Sequence, residues 1–261
     1  MSSATQGNEI LWNVESLRFT AFFQPGTDVK ASGWWKHVVA EAPESRVEKP
    51  REGLLREEGP LLGGRLTLSA DPLRVDWVLA GNVNNVFEKG TFEALPRYDD
   101  CVSPFSKLVK RWIELKTPVV RMAWGSVLLG PVDNREQGYR RIARYLPHVT
   151  IDSVGSSDFQ FQINRPRNSK TKEQLKINRL SKWSVGLFQS GTLQLAPLPE
   201  GVGARTGIAR TSGPSLHACR LELDINTAAE YTEPFASELC LTLLDELVSL
   251  ATEISQRGDS P

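Results

Sequence analysis

Seven cations fall within the 18 residues Arg165–Lys182: Arg165, Arg167, Lys170, Lys172, Lys176, Arg179 and Lys182, against the single acid Glu173. Cations at this density are candidates for binding a polyanion, and each phosphate neutralised would contribute about −0.9 to the salt slope. Trp183, Phe159 and Phe161 could stack bases if they faced outward. A second reading has the seven cations meeting an acidic protein surface, such as this chain's C-terminal segment in a second copy. A third leaves them solvated at the end of a hairpin whose aromatic residues are core. The whole chain is neutral, with 31 Lys+Arg and 31 Asp+Glu. Proteins that coat nucleic acid carry a basic excess, so charge favours protein contact. The offsetting acid lies downstream, where Glu222, Asp224, Glu230, Glu233, Glu238, Asp245, Glu246 and Glu253 face Arg220 alone.

Other residue types that do chemistry lack the spacing for it. His37, His148 and His217 have no second His, Cys or acid at ligand spacing, and Cys101, Cys219 and Cys240 form no paired motif. Asp99 and Asp100 precede Cys101, raise its thiol pKa and oppose a thiolate nucleophile. No GxSxG elbow occurs. Gly201, Gly203 and Gly207 follow Pro-Leu-Pro-Glu rather than a strand, so the context of a phosphate loop is missing. Glu114-Leu115-Lys116 carries the acid-x-lysine element of some nucleases, but at a helix end. No catalytic residue, metal site or cofactor is expected. The expected function is a non-enzymatic protein-interaction module. A nucleic-acid-binding accessory using the basic 165–182 hairpin is the alternative, and an enzyme with a scattered site is the third reading.

The elements that must position these residues follow from periodicity. Phe159, Phe161 and Ile163 alternate with Gln160, Gln162 and Asn164, and Leu175, Ile177, Trp183, Val185 and Leu187 continue beyond the cations. Period two marks half-buried strands, so the stretch reads as a β-hairpin with a long cationic tip. Upstream, Ile10–Phe23 reads as a strand and Gly33–Ala42 as a short helix capped by Ser32. Ala42–Pro60, with charges of alternating sign, reads as a solvated loop. Leu61–Ala70 and Leu73–Leu79 form a hairpin at Asp71-Pro72, and Gly81–Gly90 is turn-like. Pro104–Lys116 carries a helical stripe with Ser103 as cap and Pro104 in the first turn. Pro118–Leu129 is a long strand and Arg135–Leu146 a further helix. Gly191–Pro214, rich in Gly and Pro, reads as a mobile loop or an excursion between strands. Leu216–Ile225 is the last strand, and a helix from Pro234 to Gln256 is expected to bury Leu243, Leu244, Leu247, Val248, Ala251 and Ile254. Trp77, Trp112, Leu223 and Leu247 are expected in the core.

Single helices between hairpins predict an α+β fold of antiparallel sheets with helices packed on them. Strand, helix and hairpin recur in Val14–Leu79 and Val119–Phe188, which suggests two related β-α-β-β halves, residues 1–95 and 96–261. The three scattered cysteines and the polar N-terminus point to a reducing cytoplasm.

Three places carry a resemblance: a helix leading into a long strand with Arg121 near its start, the strand Leu221–Asn226 (LELDIN), and the terminal helix with Leu243–Leu247 (LLDEL). Together they resemble a sporadically distributed, uncharacterised family of bacterial proteins of about this length. Where that family commonly carries glycine-leucine-arginine-aromatic, this chain reads Arg121-Met122-Ala123-Trp124. The resemblance implies an accessory subunit of a mobile-element or antiviral defence assembly, and it implies no catalytic residues.

Overall fold

Alternation along the chain resolves into the two faces of one sheet. In the computed structural model, which describes residues 9–81, 97–197 and 206–259 (side chains of 189–214 apart), β1 (Asn13–Phe23) buries Leu17, Phe19, Ala21 and Phe23. Its Ser16, Arg18 and Phe22 take the opposite phase. The chain continues through α1 (Trp34–Val39), β2 (Ser45–Lys49), β3 (Leu54–Leu61), β4 (Gly64–Asp71), β5 (Arg74–Ala80), α2 (Tyr98–Ile113) and β6 (Val119–Val132). It then runs through α3 (Arg135–Tyr145), β7 (Gln160–Asn164), β8 (Arg167–Asn168), β9 (Lys176–Pro197), β10 (Thr206–Thr227) and α4 (Ser237–Arg257). The ten strands form one antiparallel sheet in the order β2-β3-β4-β5-β1-β6-β10-β9-β7, with β8 beside β9. The α+β architecture follows.

The four helices pack on one face. Trp34 of α1 meets Phe23, Trp112 of α2 meets Phe19, and Phe105 of α2 meets Trp124 of β6. Gly138 of α3 lies so close to β9 that an added Cβ would sit 2.7 Å from Val185. Leu243, Leu244, Leu247, Ala251 and Ile254 of α4 are fully buried. Trp77, Trp112, Leu223 and Leu247 are core residues, as periodicity predicts. Among the described residues no helix is long and apolar enough to cross a membrane.

The two halves run in parallel ways. β1-α1 and β6-α3 each open a half, antiparallel strands follow, and the last strand returns to pair with the first, β5 on β1 and β10 on β6. A helix follows each last strand, α2 after β5 and α4 after β10; this grouping places α2 (Tyr98–Ile113) with the first half, whereas the boundary expected at residue 95 places it with the second. The halves share the sheet across the β1–β6 seam, where Phe19 opposes Trp124. The boundary expected at residue 95 lies outside the described residues, as do the turn-like Asn82–Gly90 and Gly201 and Gly203.

Several elements correct the sequence reading. Ala42–Pro60 is not a loop but holds β2, a 3-10 turn at Pro50–Glu52, and β3. All five β2 residues are exposed, and the buried β3 positions are Leu55, Glu57 and Gly59. Glu57, 2% exposed, accepts a hydrogen bond from Arg46 at 3.0 Å, and Gly59 leaves room for the Trp35 ring. Gly33 rather than Ser32 precedes α1, and no side chain caps it. Helix α2 starts at Tyr98, so Pro104 and Ser103 are interior. Tyr98 and Cys101 extend the buried stripe of Phe105, Leu108 and Trp112 by another turn, and Asp99 and Asp100 complement the helix dipole there. Gly191–Pro214 is largely strand: Gln189–Pro197 and Thr206–Ser215 pair with each other and with no third strand among the described residues. Gly213-Pro214 falls in the register shift between Ser212 and Ser215, where a bulge tolerates proline. At about 3.3 Å per residue, this ribbon extends roughly 30 Å.

Candidate functional site

The cationic hairpin forms as expected, with Phe161 opposite Trp183 and Ile163 opposite Ser181. Its tip is folded onto the acidic terminal helix of the same chain. Arg165 reaches Asp259 at 3.3 Å, and Arg167 and Arg179 both reach Glu253, at 3.1 and 3.4 Å. Glu246 accepts from the Ser169 hydroxyl and the Lys170 backbone N–H, each at 2.7 Å. Burial opposes ionisation of Glu246, yet these bonds and those from Thr171 hold its carboxyl below the ordinary range. Arg179 is 1% exposed, and its Nε and Nη1 have no hydrogen-bond partner among the described residues. Desolvation lowers its pKa, with neighbouring Arg167 adding to the effect. Lys182 pairs with Glu222 at 3.2 Å, and Lys172 lies over the Tyr231 ring. Among the described residues, Lys170 and Lys176 have no ion pair. Trp183 is fully buried, and Phe159 and Phe161 pack against the core, so these rings do not face outward to stack bases.

The larger surface is the sheet face that carries no helix among the described residues. A hollow of about 530 Å³ lies on it, lined by residues that include Val78, Arg18, Gly125, Asp224, Lys182 and Gln162. Val78 is on β5 and Gln162 on β7, five strand spacings or about 24 Å apart. The hollow therefore draws its lining from six neighbouring strands, β5, β1, β6, β10, β9 and β7. Its centre follows from the register. Gly125 of β6 lies opposite Arg18 of β1 and Asp224 of β10, and Arg18 and Asp224 face each other at 3.9 Å. A Cβ at Gly125 would stand 3.3 Å from Arg18 Nε, so the missing side chain lets the guanidinium lie low. Around this centre Arg220 pairs with Glu15 at 3.2 Å and with Glu222, and Arg74 with Asp76 at 2.6 Å. An amide run crosses three strands: Asn164 donates to Asn178, and Asn178 donates to Asn226, both at 3.1 Å. Period two foretold the two faces of β5, β7 and the later part of β10, but only pairing across β5-β1-β6-β10-β9-β7 brings these side chains together.

Nucleophilic chemistry is poorly served. Cys101, Cys219 and Cys240 are buried, and burial pushes their thiols up to about 11, 12 and 12, with Asp100 adding to the shift at Cys101. At pH 8 the thiolate fraction is roughly one in a thousand or less. A thiol reagent such as Ellman's reagent is expected to leave all three unmodified within minutes in the folded protein, and to modify all three in denaturant. Rapid reaction of one thiol in the native state would contradict this burial. Among the described residues no three His, Cys, Asp or Glu side chains gather as a metal-holding group.

No protein-family model matches the chain, and no curated protein matches it significantly.

Proposed function

We propose that the chain is a non-enzymatic protein-interaction module, a subunit of a larger assembly that takes its partner on the open face of the sheet. The carrying observation is that face itself. It spans β5 to β7, is bare of helices among the described residues, and presents charges of both signs around the Gly125 hollow. Interspersed charges suit a protein surface of complementary pattern, where they set orientation and exclude wrong partners. A polyanion would meet Asp76, Glu222 and Asp224 there. The basic hairpin lends nucleic-acid binding less support, because Arg165, Arg167, Arg179 and Lys182 each face an acid of this chain.

Photo-crosslinking tests the reading. A benzophenone amino acid replaces exposed Gln162 on the open face or, as control, exposed Lys107 on the helix side, in the cells that make the protein. A single protein adduct is expected from position 162 and not from 107, and Gly125→Val, which fills the hollow, is expected to abolish it. Adducts from position 107 only, adducts with nucleic acid, or none from position 162 would each sink the proposal.

A further inference from the structure

Resting on the open face as a protein-binding surface, we propose that its Arg121 end is a carboxylate site that receives an acidic stretch of the partner polypeptide. Phe22 of β1 lies opposite Arg74 of β5 on one side and Arg121 of β6 on the other. Both guanidinium groups lie against its ring, at 5.6 Å and 5.2 Å from the centroid, a contact that holds cations in place. Arg74 is neutralised by Asp76. Arg121 has no acid within 4.0 Å among the described residues. Its Nε donates to the Thr227 carbonyl at 3.2 Å and its Nη2 to Asn226 Oδ1 at 3.0 Å. A guanidinium has five N–H donors, so a forked edge remains that matches a carboxylate.

Arg18, Arg220 and Lys182 each have an acid within 4.0 Å. Lys176 is the second open-face cation without an ion pair among the described residues, and it lies at the same end. It follows the phase of Asn178, whose amide donates to the Asn226 oxygen that Arg121 also uses. Strand β9 is two places from β6, which puts Lys176 and Arg121 about 10 Å apart. The nearby loop after β10 carries Glu230 and Glu233; Glu233 accepts from the Tyr231 hydroxyl at 3.2 Å, and neither acid pairs with Arg121 or Lys176. A half-buried unpaired cation is costly to fold, and Asn226 and the Thr227 carbonyl hold this one in place on the open face. The Phe22 ring is engaged by guanidinium groups and offers no stacking platform to a base. The acids along the same face repel a continuous polyanion more than a peptide with spaced carboxylates.

The test uses fluorescence anisotropy with a labelled twelve-residue peptide alternating glutamate and serine. A lysine–serine peptide and a dT oligonucleotide of equal length are the comparisons. The wild-type protein is expected to bind the acidic peptide in preference to both. Arg121→Gln is expected to weaken it by about tenfold or more, the effect of one charge-assisted contact, and Lys176→Ser by severalfold. Lys170→Ser, on the exposed turn, is expected to leave it unchanged. If Arg121→Gln lowers the melting temperature, exposed Lys176 decides the outcome. Absent binding, equal binding by wild type and Lys176→Ser, or tighter binding of dT would overturn the carboxylate site. An adduct from position 162 without acidic-peptide binding would overturn this site alone and leave the proposed function standing.

Discussion

Replacing Glu253 by Gln is expected to destabilise the protein by roughly 3–5 kcal/mol, the usual cost of stranding a buried charge. Arg179 is 1% exposed, and its one hydrogen-bonded acid is Glu253. The same carboxylate serves Arg167. Among the described residues, removal leaves three guanidinium groups, Arg165, Arg167 and Arg179, with Asp259 as the one acid still paired to any of them. Removal of the other partner should behave differently. Arg179→Met keeps much of the buried volume and takes away the desolvated cation, so it is expected to be near neutral or stabilising. Urea unfolding of both variants reads the contrast. A Glu253→Gln change within 0.5 kcal/mol, or equal losses in the two variants, would show that the Arg179 charge is compensated in another way.

Trp112→Ala is expected to cost roughly 3–5 kcal/mol, the range for emptying a large aromatic site. Trp112 is fully buried, and its ring meets Phe19, Phe23 and Trp34, so one side chain links α2, β1 and α1. Its indole N–H has no hydrogen-bond partner among the described residues. Trp112→Phe therefore removes an unsatisfied donor along with some volume, and is expected to lose clearly less than the alanine variant. Thermal melts compare the two. Equal losses would place the energy in the indole nitrogen rather than in ring packing.

β5, β7 and the two ends of the β7–β9 hairpin follow from period two, and the buried stripe of α4 from helical spacing. β1 and β6 read as strands although their apolar runs do not alternate strictly. Failures came where a buried position held a residue that is usually exposed. Glu57 and Gly59 break the alternation of β3, and Arg179 sits at a fully buried position of β9. Arg46, the Trp35 ring and Glu253 compensate for these, and all three come from elsewhere in the chain. Gly213-Pro214 masked β10 for a related reason, since a bulge can accept residues that local propensity rejects. The cations Arg165–Lys182 were legible as a set, but not their partners. Glu246, Glu253 and Asp259 lie 74 to 94 residues downstream of the groups they meet, and only the docking of α4 brings them close. Arg121 stood out in sequence only as an arginine near a strand start. Its environment depends on Phe22 and Asn226, contributed by the strands on either side.

The repeated order of the two halves bears on ancestry. Antiparallel strands that meet side by side, as β1 and β6 do, are related by a local two-fold axis perpendicular to the sheet. A half-length polypeptide of this pattern has one unpaired opening strand, and two copies would satisfy it by pairing that strand with its twin, an isologous contact. Joining two such genes would turn a homodimer seam into the middle of a monomer. The halves differ in what each carries outside the shared plan. The first half adds the exposed β2–β3 hairpin, and the second adds the docked cationic turn and the long β9–β10 ribbon.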